Sequence, residues 1–308
     1  MKQKLLFSAV LVMVAATGFS QTELYPKHFD LEQVTLLDGP MKTAMDLNIA
    51  HLMQYDVDRL LTPFVRQSGL SSTTDTTSKY YQWLTKHPNF KNWGGDAGFD
   101  LSGHVGGHYL SALALAYAAC HDTATKAQLK ERMDYMLQVM KDCQDAYDQN
   151  TEGLYGFIGG QPINDSWKKL YQGDLSAIQG NWGWVPFYVQ HKILAGLRDA
   201  YLYGGSDVAK ELFRKLADWS VNVIAKTSDS DFESFLNCEH GGMNESLLDA
   251  YQLFGDAKYL TAAKKFTHKT CSTVCSRSTR PSSTASTPTH RCRSSSAWSA
   301  SGRLKMEY

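Results

Sequence analysis

Three segments of the chain resemble one another, and this repetition limits the folds that the sequence can adopt. They begin at Leu113, Leu194 and Asn244, and each combines a helical pattern ending in Ala-Tyr, a short polar turn and an amphipathic helical pattern. A single hairpin of this kind cannot bury its apolar face alone, so repeated hairpins must stack. The sequence therefore predicts an all-α protein, either a linear solenoid or an α/α toroid. The aromatic, glycine-bearing links favour the toroid, whose loops converge on one rim.

Helical periodicity also appears outside the repeats. Apolar residues recur every three or four positions from Met41 to Leu61, which predicts one amphipathic helix there, and again from Leu129 to Met140. Between residues 40 and 269 the sequence has no stretch of the alternating pattern typical of a β-strand.

The N-terminus has the pattern of a secretory signal peptide. Lys2 and Lys4 precede an apolar run from Leu5 to Ala16, and small residues follow it. The run is shorter than the roughly 20 residues that a membrane-spanning helix needs. A buried first helix is the alternative. We expect residues 1–20 to be a cleaved signal peptide, residues 21–269 to be the folded part, and the protein to be secreted or periplasmic.

The zero net charge of the 308-residue chain conceals two unlike parts. Residues 270–308 carry six basic residues against one acidic residue, so their net charge is +5, and residues 1–269 carry −5. The overall balance gives no electrostatic reason to expect nucleic acid or an anionic membrane as a partner.

Polar and aromatic residues cluster in the links between helices and supply the candidate site residues. His104 and His108 have the i, i+4 spacing of a helical metal site, but the two glycines between them favour a pocket or a turn cap. Trp184 is either core packing or part of an aromatic platform for a sugar ring. Glu239 and Glu245 fit a general acid/base pair for glycoside cleavage; alternatively, Glu245 is a first-turn carboxylate stabilised by the helix dipole.

At these links the sequence resembles glycoside hydrolase family 127 and its close relative family 146, the β-L-arabinofuranosidase-type enzymes. The resemblance covers about residues 29–269 and is specific, because four separated strings occur in the family's order. The strings are FDLEQVTLLDGP (29–40), GHVGGHYLSALALAYA (103–118), WVPFYVQHKILAGLRDAY (184–201) and EHGGMNESLLDAY (239–251).

The resemblance implies an (α/α)6 toroid followed by β-sandwich domains, and exo-cleavage of L-arabinofuranose or related sugars from plant glycans. In that family a zinc-bound cysteine thiolate is the nucleophile and a glutamate is the general acid/base, in motifs of the type E-x-C and C-C. This chain contains neither motif. We therefore expect no catalytic residue and no metal ligand in it, with zinc confined to full-length relatives. His191 best matches a sugar-contacting histidine of the family, followed by His108 and Glu239.

Residues 270–308 are either a disordered Ser/Thr/Arg tail or a translation in the wrong reading frame. The family would continue with a segment of the type D-G-x-H-A-N-T-Q-x-P-K-x-I-G. Shifting the frame by one base lets residues 280–301 be read as A-F-L-D-G-K-H-A-N-T-Q-V-P-K-F-I-G-M-E-R-I. Trp298 and Met306 each have a single codon, so their bases are fixed, and these bases still fit the shifted reading. The sequence thus predicts a frameshift near Lys269, a tail with no reason to fold, and an incomplete toroid.

The functional prediction is a secreted glycoside hydrolase of the β-L-arabinofuranosidase type, truncated and inactive, with a carbohydrate as its partner. The alternatives are a non-catalytic glycan-binding helical-repeat protein and another α/α-toroid sugar enzyme, a polysaccharide lyase or an epimerase. Each candidate residue lies at the start of a hairpin helix or in the link before it. We therefore expect one concave rim to hold all the substrate-binding candidates, which are His108, Trp184, His191, Glu239 and Glu245.

Overall fold

The computed structural model describes residues 29–90, 101–176, 185–239 and 241–269. In these residues the chain forms helices and no β-strand, as the periodicity predicted. A short 3-10 helix at Leu31–Gln33 precedes α1 (Pro40–Leu52), α2 (Val57–Ser68), α3 (Trp83–Lys86), α4 (His104–Ala119), α5 (Thr123–Asp145), α6 (Asn164–Tyr171), α7 (Pro186–Leu202), α8 (Asp207–Val223), α9 (Asp229–Glu239), α10 (Met243–Phe254) and α11 (Ala257–Lys265). The expected signal peptide, the expected tail and Trp184 lie outside the described residues.

The three sequence repeats form the hairpins α4–α5, α7–α8 and α10–α11, and each polar turn caps the second helix of its hairpin. The side chains of Asp122, Ser206 and Asp256 accept hydrogen bonds from backbone N–H groups two or three residues further on, at 2.8, 3.3 and 3.0 Å. Such caps satisfy N–H groups that have no acceptor within the helix. The repeat is therefore a structural unit.

The prediction of a single helix from Met41 to Leu61 is wrong, because the segment forms parts of two helices. Helix α1 ends at Leu52 and α2 begins at Val57. Asp56 interrupts the helix, since its side chain accepts a hydrogen bond from the backbone N–H of Arg59 at 3.2 Å and starts a new one. Apolar spacing alone does not reveal such a cap, because the apolar face continues across it.

The hairpins pack in two layers. Among the first helices of the hairpins, α7 contacts both α4 and α10, and α5, α8 and α11 form the other layer. The contact between α4 and α7 is the most extensive in the described part of the chain. It requires glycine, because a Cβ on Gly107 would lie 2.3 Å from the Lys192 carbonyl oxygen, and one on Gly196 would lie 2.5 Å from the Gly107 carbonyl oxygen. The closing of the hairpins into a ring stays a prediction.

The core between the layers is aromatic. Trp219 packs against Phe157 and Trp167, with ring centroids 4.8 and 4.9 Å apart. Its indole N–H donates a hydrogen bond to the Gly153 carbonyl oxygen at 2.8 Å, so the ring is buried with its polar group satisfied. Among the described helices, none is both long enough and apolar enough to cross a membrane.

Candidate functional site

A cavity of about 230 Å³ lies between the inner-layer helices α4, α7 and α10. Most of its lining residues are polar, and they come from all three helices and the turn before α10. The lining residues are His108, Ser111, His191, Lys192, Ala195, Arg198, Gly242, Glu245, Ser246 and Asp249. Pockets for drug-sized ligands usually range from about 300 to 1,000 Å³, so this cavity suits a smaller polar molecule.

Helical spacing explains how each element supplies several lining residues. On α7 the lining positions follow His191 at intervals of one, four and seven residues, and on α10 Glu245 and Asp249 are four residues apart. Residues four or seven positions apart share one face of a helix, and Lys192 lies at the edge of that face. The inner faces of α7 and α10 are therefore polar where the cavity lies, although both helices bury apolar residues elsewhere.

Gly242 allows the start of α10 to approach α7 closely. Its φ of +87° lies in the region that favours glycine, and a Cβ at this position would lie 2.7 Å from the ring of His191. Any larger residue would displace that ring. The second glycine of the string EHGGM therefore leaves room for the His191 ring in the cavity wall.

Histidine and tyrosine rings form a group beside the cavity. The ring of His191 is nearly buried and packs edge-on to Tyr188 at 5.3 Å, and the rings of His104 and His108 lie 6.1 Å apart. His104 Nδ1 lies 2.7 Å from the Leu101 carbonyl oxygen, and burial lowers the pKa of His104. Burial thus favours the neutral form of His104, and its ring is held at the start of α4 while His108 faces the cavity.

Arg198 forms an ion-pair network in the cavity wall. Its Nη1 donates to Asp249 Oδ2 at 2.7 Å, and its Nε and Nη2 donate to Asp199 Oδ1 at 3.0 and 2.8 Å. The Ser111 hydroxyl donates to Asp199 Oδ2 at 2.5 Å. Residues from α4, α7 and α10 are thereby joined by charge-assisted hydrogen bonds, which are stronger than those between neutral groups.

Glu239 has a different position from the other predicted residues. It is the last residue of α9 and is 5% exposed, and its two carboxylate oxygens accept hydrogen bonds from the backbone N–H groups of Phe187 and Tyr188, each at 3.2 Å. These N–H groups belong to the first turn of α7, where no intrahelical acceptor exists. Burial raises the pKa of Glu239 to about 8, although both hydrogen bonds oppose the shift.

The structure brings together three of the five predicted substrate-binding residues, His108, His191 and Glu245, in the wall of one cavity. Glu239 is not part of that wall, and its contact with a sugar stays a prediction, as does that of Trp184. The sequence reasoning did not select Ser111, Lys192, Arg198 or Asp249. Their signal was present in the sequence as polar residues within a few positions of His108, His191 and Glu245 on the same helices.

The described residues do not present the zinc site of the resembled family. No cysteine lines the cavity. Cys120 and Cys143 are buried elsewhere, and burial raises the pKa of the Cys143 thiol to about 12, which disfavours the thiolate that zinc requires. A set of candidate metal ligands does occur away from the cavity, in Asp56, Asp58 and His87. It is partly exposed, Asp56 already caps α2, and His87 Nδ1 lies 3.5 Å from Asp58 Oδ2, so capping and ion pairing account for it.

The fold and the cavity together define a helical-repeat protein with a candidate ligand site between its inner helices. Residues 33–294 match the family of the beta-L-arabinofuranosidase GH127 catalytic domain. The match covers most of the chain, and the protein therefore belongs to this family of glycoside hydrolases. The match extends 25 residues beyond Lys269, where the resemblance seen in the sequence ended. Among curated proteins, none matches the chain.

Proposed function

We propose that the cavity binds one sugar residue of the L-arabinofuranose type at the end of a plant glycan chain. The observation that carries the proposal is that His108, His191 and Glu245 share the wall of one small polar cavity within the family-matched region. Imidazole and carboxylate groups bond hydroxyl groups, and the volume of about 230 Å³ suits a single small sugar better than a chain of them.

Sugar binding is tested by titrating the purified protein with methyl β-L-arabinofuranoside and following chemical shifts or heat. Binding to the wild type is expected, and Glu245→Gln should weaken it roughly tenfold or more, because a hydrogen bond to a charged group contributes about 1.5–3 kcal/mol. The matched control is Glu131→Gln, which changes an exposed glutamate on α5 away from the cavity.

Three outcomes of this titration contradict the proposal. They are the absence of binding to the wild type, equal losses in the two variants, and tighter binding of a hexopyranoside than of the arabinofuranoside. Preference for a uronic acid would favour the polysaccharide lyase alternative.

We further propose that the chain as written is secreted and binds its sugar without cleaving it. A retaining glycosidase needs a nucleophile and an acid/base carboxyl group on opposite sides of the scissile bond. The motifs E-x-C and C-C, which carry the family's zinc-bound nucleophile, do not occur in the 308 residues. The leader-like pattern of residues 1–20 supports export, and a mature N-terminus near Gln21, measured by mass spectrometry, is the expected result.

A further inference from the structure

The ion-pair network around Arg198 leaves hydrogen-bonding capacity on the side of the cavity. Asp199 has both oxygens engaged, by Arg198 and by Ser111, and its side chain is 7% exposed. Within the described residues, Asp249 has only Oδ2 engaged, by Arg198, and its side chain is 22% exposed. Arg198 has five N–H groups, of which three donate within the network. In the described part of the chain, one oxygen of Asp249 and two N–H groups of Arg198 therefore remain available, on two joined side chains that both line the cavity.

The Asp249 carboxylate is not needed to neutralise Arg198, and its burial carries an energetic cost. Asp199 already supplies one negative charge to the guanidinium group. Burial raises the pKa of Asp249, and the charge of Glu245, four residues earlier on the same helix face, also raises it. Like charges at this spacing destabilise a helix. Polar groups whose burial carries such a cost are typical of functional sites.

The remaining groups match the hydrogen-bonding pattern of two adjacent hydroxyl groups. A carboxylate oxygen only accepts hydrogen bonds and a guanidinium N–H only donates them, whereas each sugar hydroxyl does both. One hydroxyl of a vicinal diol can donate to Asp249 Oδ1 while its neighbour accepts from Arg198. A ligand with an amine alone or a carboxylate alone satisfies only one member of the pair.

We propose that Arg198 and Asp249 bind a vicinal diol of the sugar in this cavity and thereby select ligands that carry two adjacent free hydroxyl groups. The proposal rests on the proposed function and adds a specificity determinant to it. It places the diol beside Arg198 and the rest of the ring toward His108, His191 and Glu245.

The test compares methyl β-L-arabinofuranoside with its 2-deoxy and 3-deoxy counterparts, titrated against the wild-type protein. At least one deoxy sugar should bind roughly tenfold more weakly or worse, because the missing hydroxyl group leaves a partly buried charged group without a partner. In Asp249→Asn, and likewise in Arg198→Lys, the ratio of affinities for intact and deoxy sugar should fall to about threefold or less. The control Asp134→Asn breaks an exposed ion pair with Lys130 and should keep the wild-type ratio.

Each outcome has a distinct meaning. Equal binding of intact and deoxy sugars by the wild type overturns the diol proposal and leaves the proposed function standing. Absence of sugar binding overturns both. The wild-type comparison requires no variant, so it remains decisive if Asp249→Asn fails to fold. Folded variants that keep the full wild-type ratio overturn the assignment to Arg198 and Asp249.

Discussion

Burial and hydrogen bonding act in opposite directions on Glu239. The two N–H groups at the start of α7 favour its ionised form, and complete removal from water favours the neutral form. Burial dominates, and the pKa of Glu239 is raised from 4.5 to about 8. A carboxyl group with a higher pKa in the folded chain than in the unfolded chain binds more protons when the chain is folded, so its contribution to the free energy of unfolding falls as the pH rises.

The pH dependence of stability gives a test of this residue. Between pH 5 and pH 8 the free energy of unfolding of the wild type should fall relative to that of Glu239→Gln, by an amount on the order of a few kcal/mol. Denaturant unfolding at several pH values measures it. The difference between the two proteins is the relevant quantity, because the lowered pKa of His104 and the raised pKa of Asp249 change both proteins equally. Parallel curves for wild type and variant would show that Glu239 does not titrate in this range.

Helix packing in the inner layer depends on glycine at the contact of α4 and α7. Gly107 and Gly196 face the backbone of the opposite helix, and backbone cannot move aside as a flexible side chain does. The cavity residues of α4 and α7 take their positions from this contact. A change in helix separation would therefore alter both the stability and the geometry of the site.

Gly196→Ala should lower the free energy of unfolding by about 2–3 kcal/mol or more, because a methyl group at 2.5 Å from a carbonyl oxygen forces the two helices apart. Gly205→Ala is the control, since that glycine has a φ of +64° but no atom within 4 Å of an added Cβ, and it should cost only about 1–2 kcal/mol. Urea unfolding gives both values. A Gly196→Ala variant as stable as the wild type would exclude the tight contact.

At the scale of the whole molecule, the exposed apolar side chains are unevenly distributed. The most exposed are Leu37, Phe29, Met41 and Leu47, all at the beginning of the described chain, with exposures of 84, 79, 73 and 66%. Single exposed apolar side chains are ordinary on a soluble protein, and only a contiguous group of them would form an unusual patch. The expectation that a complete toroid would cover faces left open here stays a prediction.

A one-base correction of the gene near the codon of Lys269 should convert a sugar-binding chain into an active enzyme. The uncorrected protein should release no arabinose from 4-nitrophenyl β-L-arabinofuranoside, because losing only part of an acceleration of roughly 10⁶-fold or more already makes turnover undetectable. The corrected protein should contain zinc, measured by elemental analysis, and should hydrolyse this substrate. Zinc-dependent activity of the uncorrected protein would show that the nucleophile lies within the present sequence.

The sequence by itself determined the helical hairpins and their turns. Apolar spacing and caps such as Asp122 and Asp256 act over four residues or fewer, so they can be read without knowing the fold. The helix break at Asp56 was missed, because the cap lies within a continuous apolar pattern. The strings that indicated the family also pointed to His108, His191 and Glu245, but each residue lies in a different string, so the sequence did not show that they face one cavity.

Only the tertiary structure decided which polar groups face one another. Asp249 lies 51 residues from Arg198, and Glu239 lies 52 residues from Phe187, so both contacts depend on which helix faces pack together. That choice follows from the close approach of α4 and α7 at Gly107 and from the position of α10 at Gly242. This packing places the carboxyl group of Glu239 against the first turn of α7 and Asp249 in the cavity wall. Burial and backbone N–H groups from distant segments act on a side chain as strongly as its own neighbours do, so these positions depend on the tertiary structure.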